Sequence, residues 1–264
     1  MAKTTVATLR QMKQRGERIS ALTAYDYPTA KILDEVGIEV ILIGDSAANV
    51  IYGMLTTLPI GMPEMLYHTK AVVAGAKQAL KVADMPFLSY QASVETAVAN
   101  AGRFMKVGAE AVKMEGGAPM LKTVERCVSV GIPVMGHLGL TPQSVYRLGG
   151  YQLQAQTEPE QQQLLADARA LEAVGCFAIV LEKVPRELAR QVSRAIAIPT
   201  IGIGAGPDCD GQILVLHDML GFSDQHYRFV KRYAEIGRGI RDAVRAYRGE
   251  VKGGKFPDDE HSYN

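Results

Sequence analysis

The chain has 264 residues, 47% hydrophobic and 22% charged, and its 29 Lys and Arg against 28 Asp and Glu leave a net charge of +1. That supplies a large core but no basic stripe and no aromatic platform, which argues against nucleic acid as a partner. A polar N-terminus, no apolar run of membrane-spanning length, and three scattered cysteines (Cys127, Cys176, Cys209) without C-x-x-C spacing predict a cytoplasmic protein. It should keep buried thiols, with no membrane, disulfide framework or zinc knuckle.

Val6, Leu9 and Met12, spaced three apart within Thr5–Lys13, predict a short amphipathic helix ahead of any strand, which would close the bottom of a barrel. Ile19–Ala24 reads as a first strand, and Pro28 suits the first turn of a helix that Gly37 ends. Val40-Ile-Leu-Ile-Gly-Asp-Ser46 follows. Four apolar residues without polar alternation suit a strand covered on both faces, and Asp45 is left at its carboxyl end. The turn-rich stretch 47–61 exceeds the usual βα connection and is a candidate functional loop. Next come a helix over Pro63–Ala76, a strand over Ala79–Ala83 that stops on Asp84, a helix capped by Ser93 and ended by Gly108, and the strand Ala111-Val-Lys-Met-Glu115.

A helix over Met120–Val130 leads through Gly131 to the strand Pro133–His137. The polar segment Leu138–Gln156, with Gly149-Gly150-Tyr151, is too long for a plain connector and is expected to be a lid or binding loop. Thr157-Glu-Pro-Glu160 forms a capping box, opening a helix with Leu164, Leu165, Ala168, Leu171 and Val174 on one stripe and Gly175 as its stop. Strands are then read over Phe177–Glu182, Ile198–Ile203 and Gln212–Leu216, with helices over Pro185–Ile196 and Tyr227–Arg248. Eight apolar strands alternating with helices predict an α/β fold, a (β/α)8 TIM barrel forming one domain over 1–264 with 249–264 as a tail. An open doubly wound sheet is the alternative.

Asp45, Asp84 and Glu115 each stand at a strand end. Any one of them has a plain explanation as a cap, a turn residue or an ion-pair partner. Three at one barrel mouth cost repulsion and desolvation unless a cation neutralises them, and without His or Cys in the set Mg2+ fits better than zinc. Lys113 lies two residues before Glu115 on the same face, either in an internal salt bridge or free to hold an anionic oxygen of a substrate. His137 ends the fifth strand as a core histidine or a substrate contact. Glu182 ends the sixth strand outside the acid set, either as an ion-pair partner or as the spare carboxylate that metal-assisted proton abstraction needs. Gly202-Ile-Gly-Ala-Gly206 resembles a phosphate-cradling turn, although it does not match G-x-G-x-x-G and tight packing is a sufficient reason for its glycines.

Taken together, Leu22-Thr-Ala-Tyr-Asp-Tyr27, Ile43-Gly-Asp-Ser46, Ala83-Asp-Met-Pro-Phe87, Val112-Lys-Met-Glu-Gly-Gly117, Gly136-His-Leu-Gly-Leu-Thr-Pro-Gln-Ser144, Val180-Leu-Glu182, Ile198–Gly206, Cys209-Asp-Gly-Gln212 and the tail Phe256–Tyr263 resemble the ketopantoate hydroxymethyltransferase family over nearly the whole chain. The resemblance implies a (β/α)8 barrel that transfers a hydroxymethyl group from 5,10-methylenetetrahydrofolate to 3-methyl-2-oxobutanoate. The products would be 2-dehydropantoate and tetrahydrofolate, in pantothenate biosynthesis, by way of a Mg-stabilised enolate. It further implies one Mg2+ per subunit on Asp45, Asp84 and Glu115. Asp45, Ser46, Asp84 and Lys113 would bind the oxo acid with His137 lining the pocket, Glu182 would be the proton acceptor, and the assembly would be a homodecamer. Ala47-Ala48 and Gln154-Ala-Gln156 depart from the pattern of many members.

Two rival functions remain at this stage. A Mg2+-dependent C–C lyase of 2-oxo acids, of the isocitrate lyase and phosphoenolpyruvate mutase kind, would share the acid-lined barrel, but no Lys-Cys-Gly-His run for an active-site thiol occurs here. A non-catalytic barrel holding a phosphorylated metabolite at Gly202–Gly206 would keep the fold and lose the chemistry.

Overall fold

The run Val40–Ile43 is buried at all four positions. Val40 and Leu42 belong to the apolar interior, and strand alternation turns Ile41 and Ile43 to the opposite face. The computed structural model describes residues 2–223 and 225–263, which fall into two compact units, one ending at Leu214 and the other beginning at Val215.

In chain order the first unit holds α1 (Val6–Arg15), β1 (Ile19–Thr23), α2 (Tyr27–Val36), β2 (Val40–Ile43), α3 (Ala47–Val50), α4 (Met62–Gly75), β3 (Leu80–Asp84), α5 (Val94–Lys106) and β4 (Ala111–Glu115). It continues with α6 (Leu121–Ser129), β5 (Val134–Gly139), α7 (Glu158–Ala173), β6 (Ala178–Glu182), α8 (Arg186–Ala195), β7 (Thr200–Ile203) and β8 (Gly211–Leu214). Each strand pairs in parallel with the next and β8 pairs with β1, so the sheet closes into a (β/α)8 barrel. The open-sheet alternative is thereby set aside.

The bottom of the barrel is closed as the spacing of α1 implied. Leu9 and Met12 pack into one apolar cluster with Ile19, Val40, Leu80, Met135 and Ile213, with Val6 against it. Lys13 pins the plug by donating to the Ser193 and Ile198 carbonyls at 2.8 and 2.9 Å while pairing with Asp210 at 2.9 Å. Local signals set the helix ends. Asp26 caps α2 by accepting the Thr29 N–H at 2.8 Å, and Gly37 ends it in the left-handed region at φ 93°. Asp34, at the end of α2, accepts the N–H groups of Lys77, Gln78 and Ala79 at 2.7–2.9 Å. Burial opposes its charge, but these three donors hold its carboxyl below the ordinary value and fix the entry to β3.

The three cysteines are free and buried, and burial pushes the Cys127 and Cys176 thiols up to about 11 and 12, so neither is a nucleophile. Among the described residues no helix is long and apolar enough to cross a membrane.

The second unit carries α9 (Leu216–Met219) and α10 (Ile236–Lys252). The last helix thus starts nine residues later than the pattern over Tyr227–Arg248 implied. The reason is local. Tyr233 and Ile236 N–H donate to the Met219 and Leu220 carbonyls at 2.9 Å, and the Arg232 guanidinium holds the carbonyls of Ser223 and Gln225 at 2.6 Å, so this stretch folds back instead of continuing a helix.

Candidate active site

Alternation along the strands decides which side chains reach the mouth. Val82, Ala111, Met135 and Val180 lie in the apolar interior. Two residues further along the same strands stand Asp84, Lys113, His137 and Glu182, with Glu115 two beyond Lys113. Register then brings Asp84 beside Lys113 and Glu115 beside His137. The barrel interior is therefore apolar toward α1 and ionisable at the carboxyl ends of the strands, where barrels of this kind keep their chemistry.

Asp84, Lys113, Glu115 and His137 are all buried, as is Asp45 just beyond β2. Lys113 Nζ pairs with Asp84 Oδ1, not with Glu115, its neighbour on the same face. Asp84 Oδ2 accepts the Asp45 N–H at 3.0 Å. His137 stands between two carboxylates, with Nδ1 3.4 Å from Glu115 Oε1 and Nε2 3.4 Å from Glu182 Oε2. These are charge contacts too long and poorly aligned for hydrogen bonds. Glu115 Oε1 and both His137 nitrogens consequently have no hydrogen-bond partner among the described residues. Ser46 Oγ shares a hydrogen bond with Tyr25 Oη at 2.9 Å, and the Tyr25 carbonyl contacts His68 Nδ1 at 2.7 Å.

Glu182 differs from the other acids. Its side chain keeps 15% exposure where those of Asp84 and Glu115 keep 3% and 4%. Its position is set by Gly139 at φ 90°, where a Cβ would stand 2.2 Å from the Glu182 carbonyl. Only glycine lets β5 approach there, and Leu140 N–H closes the contact by donating to that carbonyl at 2.8 Å. Lys183, immediately after Glu182, is held at φ 45°. Its carbonyl accepts the Gln154 N–H at 2.9 Å and its ammonium binds the Tyr151 carbonyl, so the segment read as a lid is tied beside Glu182.

The charges are interdependent. Burial first, then repulsion from Asp84 and Glu115, push Asp45 up to about 8. Burial opposes the charge on Lys113, but Asp84, Glu115 and Asp45 outweigh it and raise its pKa. Burial and Lys113 likewise oppose a charged His137, yet Glu115 and Glu182 prevail and hold the imidazolium up to about 9. Glu115 is buried too, and His137 and Lys113 hold its carboxyl below the ordinary value. Lys113 is thus held as an ammonium beside Asp84 and His137 as an imidazolium beside Glu115, while Asp45 keeps a proton at neutral pH.

The donor set fits a hard cation in kind. All three acids offer oxygen, Asp45 is pushed up by burial first and then by the charges of Asp84 and Glu115, and Glu115 Oε1 has no donor among the described residues. The arrangement is not a closed ligand cage. Among the described residues no three His, Cys, Asp or Glu side chains stand at metal-ligand spacing. Lys113 holds Asp84, and Gln143 bridges the other two acids, with Nε2 2.9 Å from Asp45 Oδ2 and its N–H 2.9 Å from Glu115 Oε2.

Gln143 and its support Tyr90 are the residues that the sequence reading missed. Tyr90 Oη accepts the Glu115 N–H at 2.9 Å and donates to Gln143 Oε1 at 2.9 Å. Gln143 lay in plain view within Thr141-Pro-Gln-Ser144, where Pro142–Ser144 makes a 3-10 turn that dips into the mouth, and a buried turn was the missing signal. Tyr90 offers no comparable pattern.

Two of the glycines of 202–206 stand in tight packing. A Cβ on Gly202 would meet Cys209 Sγ at 3.0 Å, and one on Gly206 would meet the Arg186 side chain at 2.6 Å.

A family model described as ketopantoate hydroxymethyltransferase matches residues 3–259. The chain is 56% identical to a 3-methyl-2-oxobutanoate hydroxymethyltransferase of Prosthecochloris aestuarii, over 98% of this chain and 96% of that one. It is 54% identical to the protein of the same name from Moorella thermoacetica, over 99% and 98%. Among solved structures it resembles a phosphonopyruvate hydrolase complexed with oxalate and Mg2+ (TM-score 0.64, 14% identity, 99% of this chain and 92% of that one). A 2,3-dimethylmalate lyase of the phosphoenolpyruvate mutase/isocitrate lyase superfamily is similar too (TM-score 0.62, 16% identity, 99% and 93%). At such identity the structural likeness speaks for the fold alone.

Proposed function

This chain belongs to the ketopantoate hydroxymethyltransferase family, and from that premise we propose how its acid-lined mouth carries out the reaction. The chain is an enzyme of pantothenate biosynthesis that transfers a hydroxymethyl group to 3-methyl-2-oxobutanoate. The observation that carries the mechanistic reading is the division of the acids into a buried set, Asp45, Asp84 and Glu115, and one accessible carboxylate, Glu182. A group that must meet a substrate C–H has to be reachable, whereas groups that hold a cation gain from burial.

In this reading Asp45, Asp84 and Glu115 hold one Mg2+ per subunit, which when bound acts as a Lewis acid on the oxygens of the oxo acid. Ser46 and Lys113, with the Asp45 and Asp84 region, bind the 2-oxo acid, and His137 lines the pocket. The carboxylate of Glu182 takes the C3 proton of 3-methyl-2-oxobutanoate. Negative charge then develops on the carbonyl oxygen, toward which Lys113 presents a fixed ammonium, so the contact strengthens in the transition state. His137, protonated, keeps Glu182 oriented by charge. The methylene carbon of 5,10-methylenetetrahydrofolate then exchanges its two C–N bonds for a bond to C3 and a bond to a hydroxyl from water, the proton taken by Glu182 and one proton of the water go to the two folate nitrogens, and tetrahydrofolate and 2-dehydropantoate leave. A cytoplasmic homodecamer, implied by the family resemblance, belongs to the same proposal.

Loss of the C3 proton signal of 3-methyl-2-oxobutanoate in D2O, followed by proton NMR with Mg2+ and without folate, tests this reading. Glu182→Gln should slow that exchange roughly a hundredfold or more, the scale of a general base, while still binding the oxo acid. Exchange at the wild-type rate in the variant would remove Glu182 from the role of base.

A further inference from the structure

Gln143 is 6% exposed, and every polar group of its side chain is engaged. Nε2 donates to Asp45 Oδ2 and to the Met85 carbonyl, both at 2.9 Å, and Oε1 accepts from Tyr90 Oη and from Gln91 Nε2, again at 2.9 Å. The amide can face only one way. Tyr90 Oη already accepts the Glu115 N–H, so its own proton goes to Gln143 Oε1, and the amino end is left for the carboxylate. The backbone N–H of the same residue donates to Glu115 Oε2 at 2.9 Å.

One neutral residue on the 3-10 turn after β5 therefore ties together the end of β2, the end of β3 and the end of β4. We propose that Gln143, oriented by Tyr90, is a positioning residue that sets the spacing of Asp45 and Glu115 for the divalent cation. The inference rests on the reading of these acids as cation ligands. A carboxamide suits this place because it adds donors among crowded acids without adding charge. A glutamate there would add a fourth carboxylate to the buried set of Asp45, Asp84 and Glu115, and a shorter side chain could not reach from Tyr90 to Asp45. The hydrogen bonds run in one direction, from the Glu115 N–H through the Tyr90 hydroxyl and the Gln143 amide to Asp45, so the two residues act as one unit and their removal should not be additive.

The test is calorimetric titration of the full-length protein with MgCl2 alone, together with kcat and KM for the oxo acid at saturating Mg2+ and a thermal melt of each variant. Gln143→Ala should weaken Mg2+ binding about tenfold, the scale of one lost hydrogen bond to a charged group. It should raise the KM for the oxo acid and leave kcat within about threefold, a split that a base such as Glu182 would not give. Tyr90→Phe, which keeps every carboxylate of the mouth but removes the hydroxyl between the Glu115 N–H and Gln143 Oε1, should weaken Mg2+ binding in the same direction. The double variant should be no worse than Gln143→Ala.

A folded Gln143→Ala protein that binds Mg2+ as tightly as wild type, or more tightly, overturns the proposal, as do effects that multiply in the double variant. Should Gln143→Ala fail to fold, unchanged Mg2+ binding in Tyr90→Phe overturns it equally. Absence of Mg2+ binding in the wild type is a different outcome, and it removes the cation reading on which the proposal stands.

Discussion

The charge on His137 has a consequence for stability that can be measured apart from catalysis. The imidazole titrates at about 9 in the folded protein against an ordinary 6.5, with burial and Lys113 opposing its charge and Glu115 and Glu182 outweighing them. A group whose pKa is raised by folding binds its proton more tightly in the native state. Its contribution is complete below about pH 6.5 and is lost as the pH rises through about 9. Each pH unit between those values is worth about 1.4 kcal/mol, so the whole contribution is about 3 kcal/mol. Asp45, raised to about 8 from 3.8, loses stability in the same direction between about pH 4 and 8, so the effect of His137 must be read as a difference. Urea denaturation of the wild type and of His137→Gln at pH steps from 6 to 9.5 supplies it. The wild type should lose about 3 kcal/mol more than the variant across the interval between the two His137 values. Parallel stability curves would refute the claim that His137 is held as a cation between Glu115 and Glu182.

The barrel was legible because its strands are buried on both faces. Val40–Ile43, Ala111–Glu115 and Ala178–Glu182 appear as apolar runs ending on or just before an acid, and period-two alternation alone carries Asp84, Lys113, Glu115, His137 and Glu182 to one mouth. The partner of Lys113 was not legible. An internal salt bridge is one of the two readings open to Lys113, but the acid that makes it, Asp84, is delivered by register across the sheet, and register is invisible in a single run of residues. Gln143 and Tyr90 escaped for a related reason. They are separated by 53 positions, and their meaning lies in hydrogen bonds to Asp45 and Glu115 made by a turn whose burial no local pattern announces. The late start of α10 is a third case, since backbone contacts from Tyr233 and Ile236 to the preceding helix override a stretch that could otherwise continue as helix.

Two further substitutions probe the opposite ends of the barrel. Lys113→Met leaves Asp84 buried without its counter-ion and should cost about 3–5 kcal/mol, read from the urea midpoint. Added MgCl2 should recover part of the loss, and a variant as stable as wild type would mean that Asp84 does not depend on the ammonium. Leu9→Ala removes a fully buried side chain from the plug that α1 inserts among Ile19, Val40, Leu80 and Met135, and should cost about 2–5 kcal/mol. The plug lies at the amino ends of the strands, whereas Asp84, Glu115 and Glu182 stand at the carboxyl ends. The described residues that join the two ends form one packed apolar cluster, so stability should fall with kcat and the KM for the oxo acid unchanged at a temperature where the variant is folded. A folded Leu9→Ala protein with tenfold lower kcat would show that the mouth depends on the plug for its geometry, against the division of the barrel into a stabilising end and a reacting end.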